Sequence, residues 1–207
     1  MNDSTGFAGI SPTTLADVLG RDQTMDIGIR PLWQPVPRIA GPAFTVRCAA
    51  GDNLMLHAAI YRAEPGSVVV VQAGDVDYAV AGGNVCAVAQ RRGIAAFVVD
   101  GVIRDIAEVR ESGFPVFARG VIPAPGFKSA VAPLNGLVTC GGVAVNGGDI
   151  VVADEEGVVV VPGERQEQVL SDAWARLGKE AGESLDEWEA THRATVSRLL
   201  RDGGFTG

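Results

Sequence analysis

Lysine, histidine and paired cysteine are scarce in this chain, and each scarcity removes a class of chemistry. The only lysines are Lys128, in a GFKSA turn, and Lys179, in a charged C-terminal segment. Neither has the apolar surroundings that depress an amine's pKa enough for Schiff-base catalysis. Cys48, Cys86 and Cys140 stand singly, no C-x-x-C occurs, and His57 and His192 are far apart, so the sequence offers no Cys/His zinc site. A G-x-S-x-G nucleophile elbow is also missing. Basic charge is short: 17 Lys and Arg against 25 Asp and Glu give a net charge of −8 and a pI near 4.7. Arg91-Arg92 is the only basic doublet, so no stripe exists to neutralise nucleic-acid phosphates. No apolar run reaches the ~18 to 20 residues of a membrane span. The opening MNDSTGFAGI lacks the basic and apolar regions of a signal peptide, and a cytoplasmic protein is expected.

What is present is apolar and glycine-rich. At 207 residues, 47% hydrophobic and 20% charged, the chain fits one globular domain with a helical appendage. The expected division is a flexible tail over 1–10, a single α/β domain over 11–180 and a C-terminal helical extension over 181–207. Ser11-Pro12 starts a helix that Gly20 stops. The proline-rich stretch 31–42 reads as irregular. Strands are expected at 43–49, 67–73 and 94–100, with helices between them at 52–63 and 84–92 and after them at 104–112, and then a short strand in PVFARG. That alternation is the pattern of a parallel βαβ core. From 137 to 162, apolar runs broken by Gly-Gly, Asn-Gly-Gly-Asp and Asp-Glu-Glu-Gly have antiparallel hairpin chemistry, so an added β-layer is expected. Two C-terminal helices complete the reading.

The stretch GGNVCAVAQRRGIAAFVVDGVIRD, residues 82–105, concentrates the candidate chemistry. Two strand-to-helix junctions fall at the carboxyl ends of neighbouring strands, the edge where open parallel sheets bind ligands. One carries Gly82, Gly83, Asn84 and Val85, whose glycines admit a ligand to the backbone and whose first helical N–H groups point outward as anion donors. The other carries Arg104, a planar clamp for a carboxylate or enolate oxygen, and Asp105, a carboxylate for a hard divalent cation. Each feature alone has a plainer reading: a Gly-Gly turn, a helix-capping Asp, an Arg104–Glu108 pair at i,i+4. His57 reads as a satisfied, partly buried helix residue, Cys86 as packing, and Asp154-Glu155-Glu156 as a solvated hairpin tip.

This arrangement resembles the class II pyruvate aldolases acting on 4-hydroxy-4-methyl-2-oxoglutarate and 4-carboxy-4-hydroxy-2-oxoadipate, which share a fold with the RraA-like regulators of ribonuclease E. The resemblance runs from about Asp52 to Pro162. It is carried by DNLMLHAAIYRAEPGSVVVV, the 82–105 stretch, FPVFARG and GDIVVADEEGVVVVP. It implies a swivelling-type β/β/α domain assembled as a homotrimer or hexamer. It further implies that the backbone of Gly82, Gly83, Asn84 and Val85 holds a pyruvyl carboxylate. Arg104 would bind substrate and stabilise an enolate, and Asp105 would ligate Mg²⁺ or Mn²⁺. A C-terminal glutamate of an adjacent subunit, Glu180 or Glu183, would complete the site. The expected substrate is a small 2-oxo acid, with no nucleic-acid or membrane partner. The regulators keep the arginine and lose the aspartate, so Asp105 favours a lyase over a noncatalytic regulator binding a partner enzyme. A related lyase or tautomerase is a further alternative. One departure stands out: the aldolases carry an Asp twenty-one positions before the arginine, where this chain has Gly83. Asp75, Asp77 or Asp100 would substitute only if folding brings one close.

Overall fold

A computed structural model describes residues 6–207. Part of the expected tail is core: Phe7 and Ile10 are buried against Leu15, Ile150, Val159 and Val169, while residues 1–5 lie outside the described residues. Two large apolar side chains three apart give this stretch enough buried area to be held in place. Helix α1 (Pro12–Leu19) begins as its sequence predicts. Ser11 accepts a hydrogen bond from the Thr14 N–H at 3.1 Å, Pro12 opens the helix, and the Gly20 N–H caps it on the Ala16 carbonyl.

The sheet has seven strands in the order β1-β5-β4-β3-β2-β8-β9. Strands β2 (Ile39–Arg47), β3 (Val68–Gln72), β4 (Ala96–Ile103) and β5 (Val116–Val121) are parallel neighbours, and β1 (Arg30–Pro31) is an antiparallel edge on β5. The connections carry α2 (Leu54–Ala59), α3 (Gly83–Arg91) and α4 (Ile106–Ser112). Strand β2 serves two partners. Ala43–Arg47 pairs in parallel with β3, and Ile39–Pro42 pairs antiparallel with β8 (Ile150–Asp154), which continues into β9 (Gly157–Val161). The strand therefore starts inside the proline-rich stretch: the prolines at 35 and 37 precede it, and Pro42 falls where β2 changes partner. A separate hairpin, β6 (Val138–Cys140) with β7 (Val143–Val145), supplies the remaining β-structure.

The valine runs explain the layering. In β3 all four valines are buried, with Val69 and Val71 facing one core and Val68 and Val70 the other. A strand covered on both faces needs such an unbroken apolar run. On one face α2 to α4 contribute Leu56, Cys86 and Val109, beneath which Phe97 and Phe114 meet edge-on at 4.9 Å. On the other face the β6–β7 hairpin covers Val98 and Phe117. Helix α5 (Gln166–Ala181) packs on α1 and closes the third core. Helix α6 (Leu185–Asp202) starts at a capping box between Ser184 and Glu187 and buries none of its residues. No described helix is long and apolar enough to cross a membrane.

Candidate functional site

The strand carrying Arg104 is longer than its sequence suggests. Strand β4 continues through Asp100 and Gly101 to Ile103, with a register shift against β5 between Val99 and Val102. Asp100 is thereby spent away from the helical face. It pairs with Arg119 and accepts the Gly141 N–H at 2.8 Å. Beyond the shift, Val102 receives the Val80 N–H at 3.0 Å, and the Arg104 N–H donates to the Ala81 carbonyl at 2.9 Å. These bonds lay residues 79–82 alongside the end of β4, which sets the α3 N-terminus against Arg104 and Asp105.

Asp105 takes the left-handed conformation, φ 58° and ψ 41°, as the residue before α4. Asp tolerates that region better than most side chains, and the bend turns its carboxylate back toward α3. Its Oδ2 accepts the Gly83 N–H at 3.1 Å and lies 3.5 Å from Arg104 Nε. A Cβ on Gly82 would press on the Asp105 carboxylate and on Arg104 Cγ, so any larger residue would have to displace them. The pairing of Arg104 with Glu108 is not formed. A Cβ on Gly83 would instead run into the Glu108 carboxylate, which occupies the space where an acid at residue 83 would project. The Asn84 and Val85 N–H groups have no acceptor among the described residues, as expected of a helix's first turn.

A cleft of about 80 Å³ joins these parts. Gly82, Asn84, Val85, Arg104 and Asp105 line it from the α3 N-terminus and the residues after β4, and Asn53, His57 and Lys128 from α2 and the 126–130 loop. Gly83 lies behind, its N–H on Asp105. None of Asp75, Asp77 and Asp100 lines the cleft. Asp75 instead accepts the Gly51, Asp77 and Tyr78 N–H groups of its own corner.

Two residues differ from their sequence reading. His57 is half-buried, has no side-chain hydrogen bond among the described residues, and faces the cleft rather than being satisfied within the helix. Burial lowers its pKa, as does the nearby Lys128 charge. Asp154 is buried and paired with Arg38 at 2.9 Å, so only Glu155 and Glu156 form a solvated tip. Cys86 is fully buried, and burial, reinforced by the Asp105 charge, pushes its thiol up to about 12, which leaves it inert packing. Asn53 and Lys128 are the site residues that sequence reasoning passed over. The only available signal was Asp52-Asn53, two capping residues where a helix needs one.

Could the site hold a divalent cation? Among the described residues no group of three or more His, Cys, Asp and Glu is arranged around a point. Asp105 is a single, accessible carboxylate at the cleft with Oδ1 free of protein hydrogen bonds. That fits Mg²⁺, which keeps most of its waters and accepts one or two carboxylates plus substrate oxygens, better than a cage-bound ion.

The RraA-like family, described as Aldolase/RraA, matches residues 12–160. A relative from Halalkalibacterium halodurans, provisionally named 4-hydroxy-4-methyl-2-oxoglutarate aldolase, is 41% identical over 170 residues, covering 82% of this chain and 80% of that one. A Burkholderia multivorans protein with the same provisional name is 36% identical over 124 residues, 59% of this chain and 75% of that one. Among solved structures, Streptomyces coelicolor RraAS2, described as an unusual member of the RNase ES inhibitor RraA family, superposes with a TM-score of 0.74 at 30% identity, covering 92% of this chain and 94% of that one. The fold is thus that of an α/β protein with a cleft at the carboxyl edge of its parallel strands. The chain belongs to the Aldolase/RraA family.

Proposed function

We propose that this protein is a divalent-metal-dependent lyase that cleaves a carbon–carbon bond of a small 2-oxo acid. The reaction is aldol cleavage of a 4-hydroxy-4-methyl-2-oxoglutarate-type substrate, decarboxylation of oxaloacetate, or both. One observation carries the reading: unpaired N–H groups of α3, the Arg104 guanidinium and the Asp105 carboxylate line one cleft. The aldolase names of two relatives agree with it.

The Asn84 and Val85 N–H groups hold the substrate carboxylate at the positive end of α3. Arg104 donates to the 2-oxo oxygen, where negative charge grows as the bond breaks. A cation on Asp105 would add Lewis-acid polarisation of that same oxygen. In aldol cleavage the C3–C4 electron pair passes to the enolate as the 4-hydroxyl loses its proton and becomes a carbonyl. In decarboxylation loss of CO₂ releases the equivalent pair. Water takes up the proton released by the 4-hydroxyl, and protonation of the enolate at C3 from water then yields pyruvate in either case.

Pyruvate release from oxaloacetate should require Mg²⁺ or Mn²⁺ and cease with a chelator. Undiminished turnover in chelator, or a substrate adduct trapped by borohydride, would rule the proposal out. Inactivity on a panel of 2-oxo acids with metal present would favour a noncatalytic regulator, the class to which RraAS2 is assigned by name.

A further inference from the structure

Aldol cleavage needs a group that accepts the proton of the 4-hydroxyl, and decarboxylation does not. The family resemblance places an acid at residue 83, where this chain has glycine, and the Glu108 carboxylate beside it does not line the cleft. The polar side chains that do line the cleft are few enough to take one by one. Arg104 and Lys128 are cations, which donate hydrogen bonds and accept none. Asp105 holds the Gly83 N–H and faces Arg104, and its free oxygen is the one offered to a cation. Asn53 turns its NH₂ group to the Gly126 and Ala79 carbonyls at 3.3 and 3.4 Å. Its Oδ1 keeps a lone pair without a partner, but an amide oxygen is not a base near neutral pH.

His57 is left, and its surroundings suit the task. Its backbone N–H donates to the Asn53 carbonyl at 3.2 Å, within α2. That helix is strapped to the 126–130 loop, where Asp52 Oδ2 accepts the Ser129 N–H at 2.6 Å and the Ala130 N–H at 3.0 Å. The imidazole is half-buried at the cleft, and neither ring nitrogen has a hydrogen-bond partner among the described residues. A neutral imidazole has one donor and one acceptor to satisfy, so an idle ring at a cleft is open to a ligand or a water. The charged groups that share the cleft with it are Lys128, Arg104 and Asp105. Burial, and after it the Lys128 charge, holds the His57 pKa below the ordinary 6.5, which leaves the ring neutral and able to accept at neutral pH.

We infer that His57 is the base for aldol cleavage, taking through one water the proton that the 4-hydroxyl gives up. This rests on the reading of the cleft as a 2-oxo acid lyase site. As the C3–C4 bond breaks, its electron pair passes to the enolate, the 4-oxygen becomes a carbonyl oxygen, and the hydroxyl proton ends on the imidazole. The imidazolium then returns that proton by way of water to C3, which forms pyruvate and restores the neutral ring. Decarboxylation of oxaloacetate releases no such proton, so its enolate is protonated from water without His57.

The test compares the two reactions on the full chain with saturating Mg²⁺: cleavage of 4-hydroxy-4-methyl-2-oxoglutarate and decarboxylation of oxaloacetate. His57→Gln, which keeps a polar side chain but removes the base, should lower kcat for cleavage ~10²-fold or more relative to kcat for decarboxylation. A readout independent of turnover comes from proton NMR. The chain has two histidines, so His57→Gln assigns the His57 ring signal and leaves that of His192. In the wild type, kcat/KM for cleavage should fall as the pH drops through the His57 midpoint seen by NMR, and that midpoint should lie below 6.5. The limb should vanish in His57→Gln. If the variant does not fold, the wild-type agreement between the NMR and kinetic midpoints decides. Equal losses in the two reactions, a limb that persists in the variant, or a limb that decarboxylation shares overturns the inference. Turnover of oxaloacetate without cleavage of the 4-hydroxy acid overturns it alone. If neither substrate releases pyruvate and oxalate does not bind, the lyase reading falls with it.

Discussion

Arg104 carries the sharpest expectation at a single position, because its value lies in geometry more than in charge. A guanidinium presents two parallel donors to a carboxylate or enolate, and an ammonium presents a point charge. Arg104→Lys should therefore lose much of kcat and Arg104→Ala more, on the order of 10²- to 10³-fold for loss of an enolate-stabilising donor. Wild-type rates in Arg104→Ala would reduce the residue to a surface charge. Gly83 gives a second test, and the structure reverses what the sequence suggested. The resemblance invites Gly83→Asp as restoration of a family acid. The Glu108 carboxylate already fills that space, however, with Asp105 accepting the Gly83 N–H beside it. A new Asp must displace Glu108 and set a like charge next to Asp105. Gly83→Asp should lower both the thermal midpoint and pyruvate release, and adding Glu108→Ala should recover part of each. A double-mutant cycle with no coupling would show that the two side chains do not share the space.

The junction of α2 with the 126–130 loop shows how much rests on one carboxylate. Burial alone would raise the Asp52 pKa, but hydrogen bonds from the Leu54, Ser129 and Ala130 N–H groups and the Ser129 hydroxyl outweigh it and hold the group at about 2. The folded value lies below the ~3.9 of an unfolded Asp. Its contribution to stability is thus present above about pH 4 and is lost as the pH falls toward about 2. Wild-type protein should lose thermal midpoint steeply across that window. Asp52→Asn should start lower at neutral pH and fall less, and a parallel decline of the two would mean that other carboxylates dominate. The same junction marks the limit of what was legible beforehand. The alternation of apolar runs with Gly-closed helices gave the parallel core, because period and punctuation are local. The length of β4 and the inward turn of Asp105 were not legible, since both follow from the register shift after Val99 and the left-handed bend at 105, which depend on neighbouring strands. Arg104, Asp105 and the α3 N-terminus could be nominated from their place at strand ends. Asn53 could not, because its spare lone pair exists only once residues 79 and 126 have claimed its NH₂ group.

Helix α6 raises the question of what the whole molecule looks like in solution. It is 18 residues long, buries none of them, and has no substantial contact with the rest of the chain. It is rich in charge, yet it exposes large apolar side chains: Leu185, Trp188, Leu199 and Leu200 are exposed at 43% or more, and Trp188 stacks on His192 at 4.5 Å. Positions 185, 188, 192, 196 and 199 recur at three- and four-residue spacings, so the apolar side chains fall along one stripe. An amphipathic helix with its stripe in water is poorly stabilised, and burial of such side chains is worth roughly 1.5 to 3 kcal/mol each. We propose that a second copy of the chain covers it, in keeping with the trimer or hexamer that the family resemblance implies. That assembly would also give Glu180 and Glu183 a place to act. Neither lines its own chain's cleft; Glu180 pairs with Arg176 at 2.9 Å, and Glu183 lies in the turn between α5 and α6. Light scattering should report a trimer or a multiple of it. Trp188→Glu with Leu199→Glu should shift the mass toward the monomer while the far-ultraviolet spectrum keeps its helical signal. If activity falls with the mass and returns at high protein concentration, the site draws on a neighbouring chain. A wild-type protein that is monomeric and fully active would remove any cross-subunit glutamate from the reaction and leave the α6 stripe unexplained.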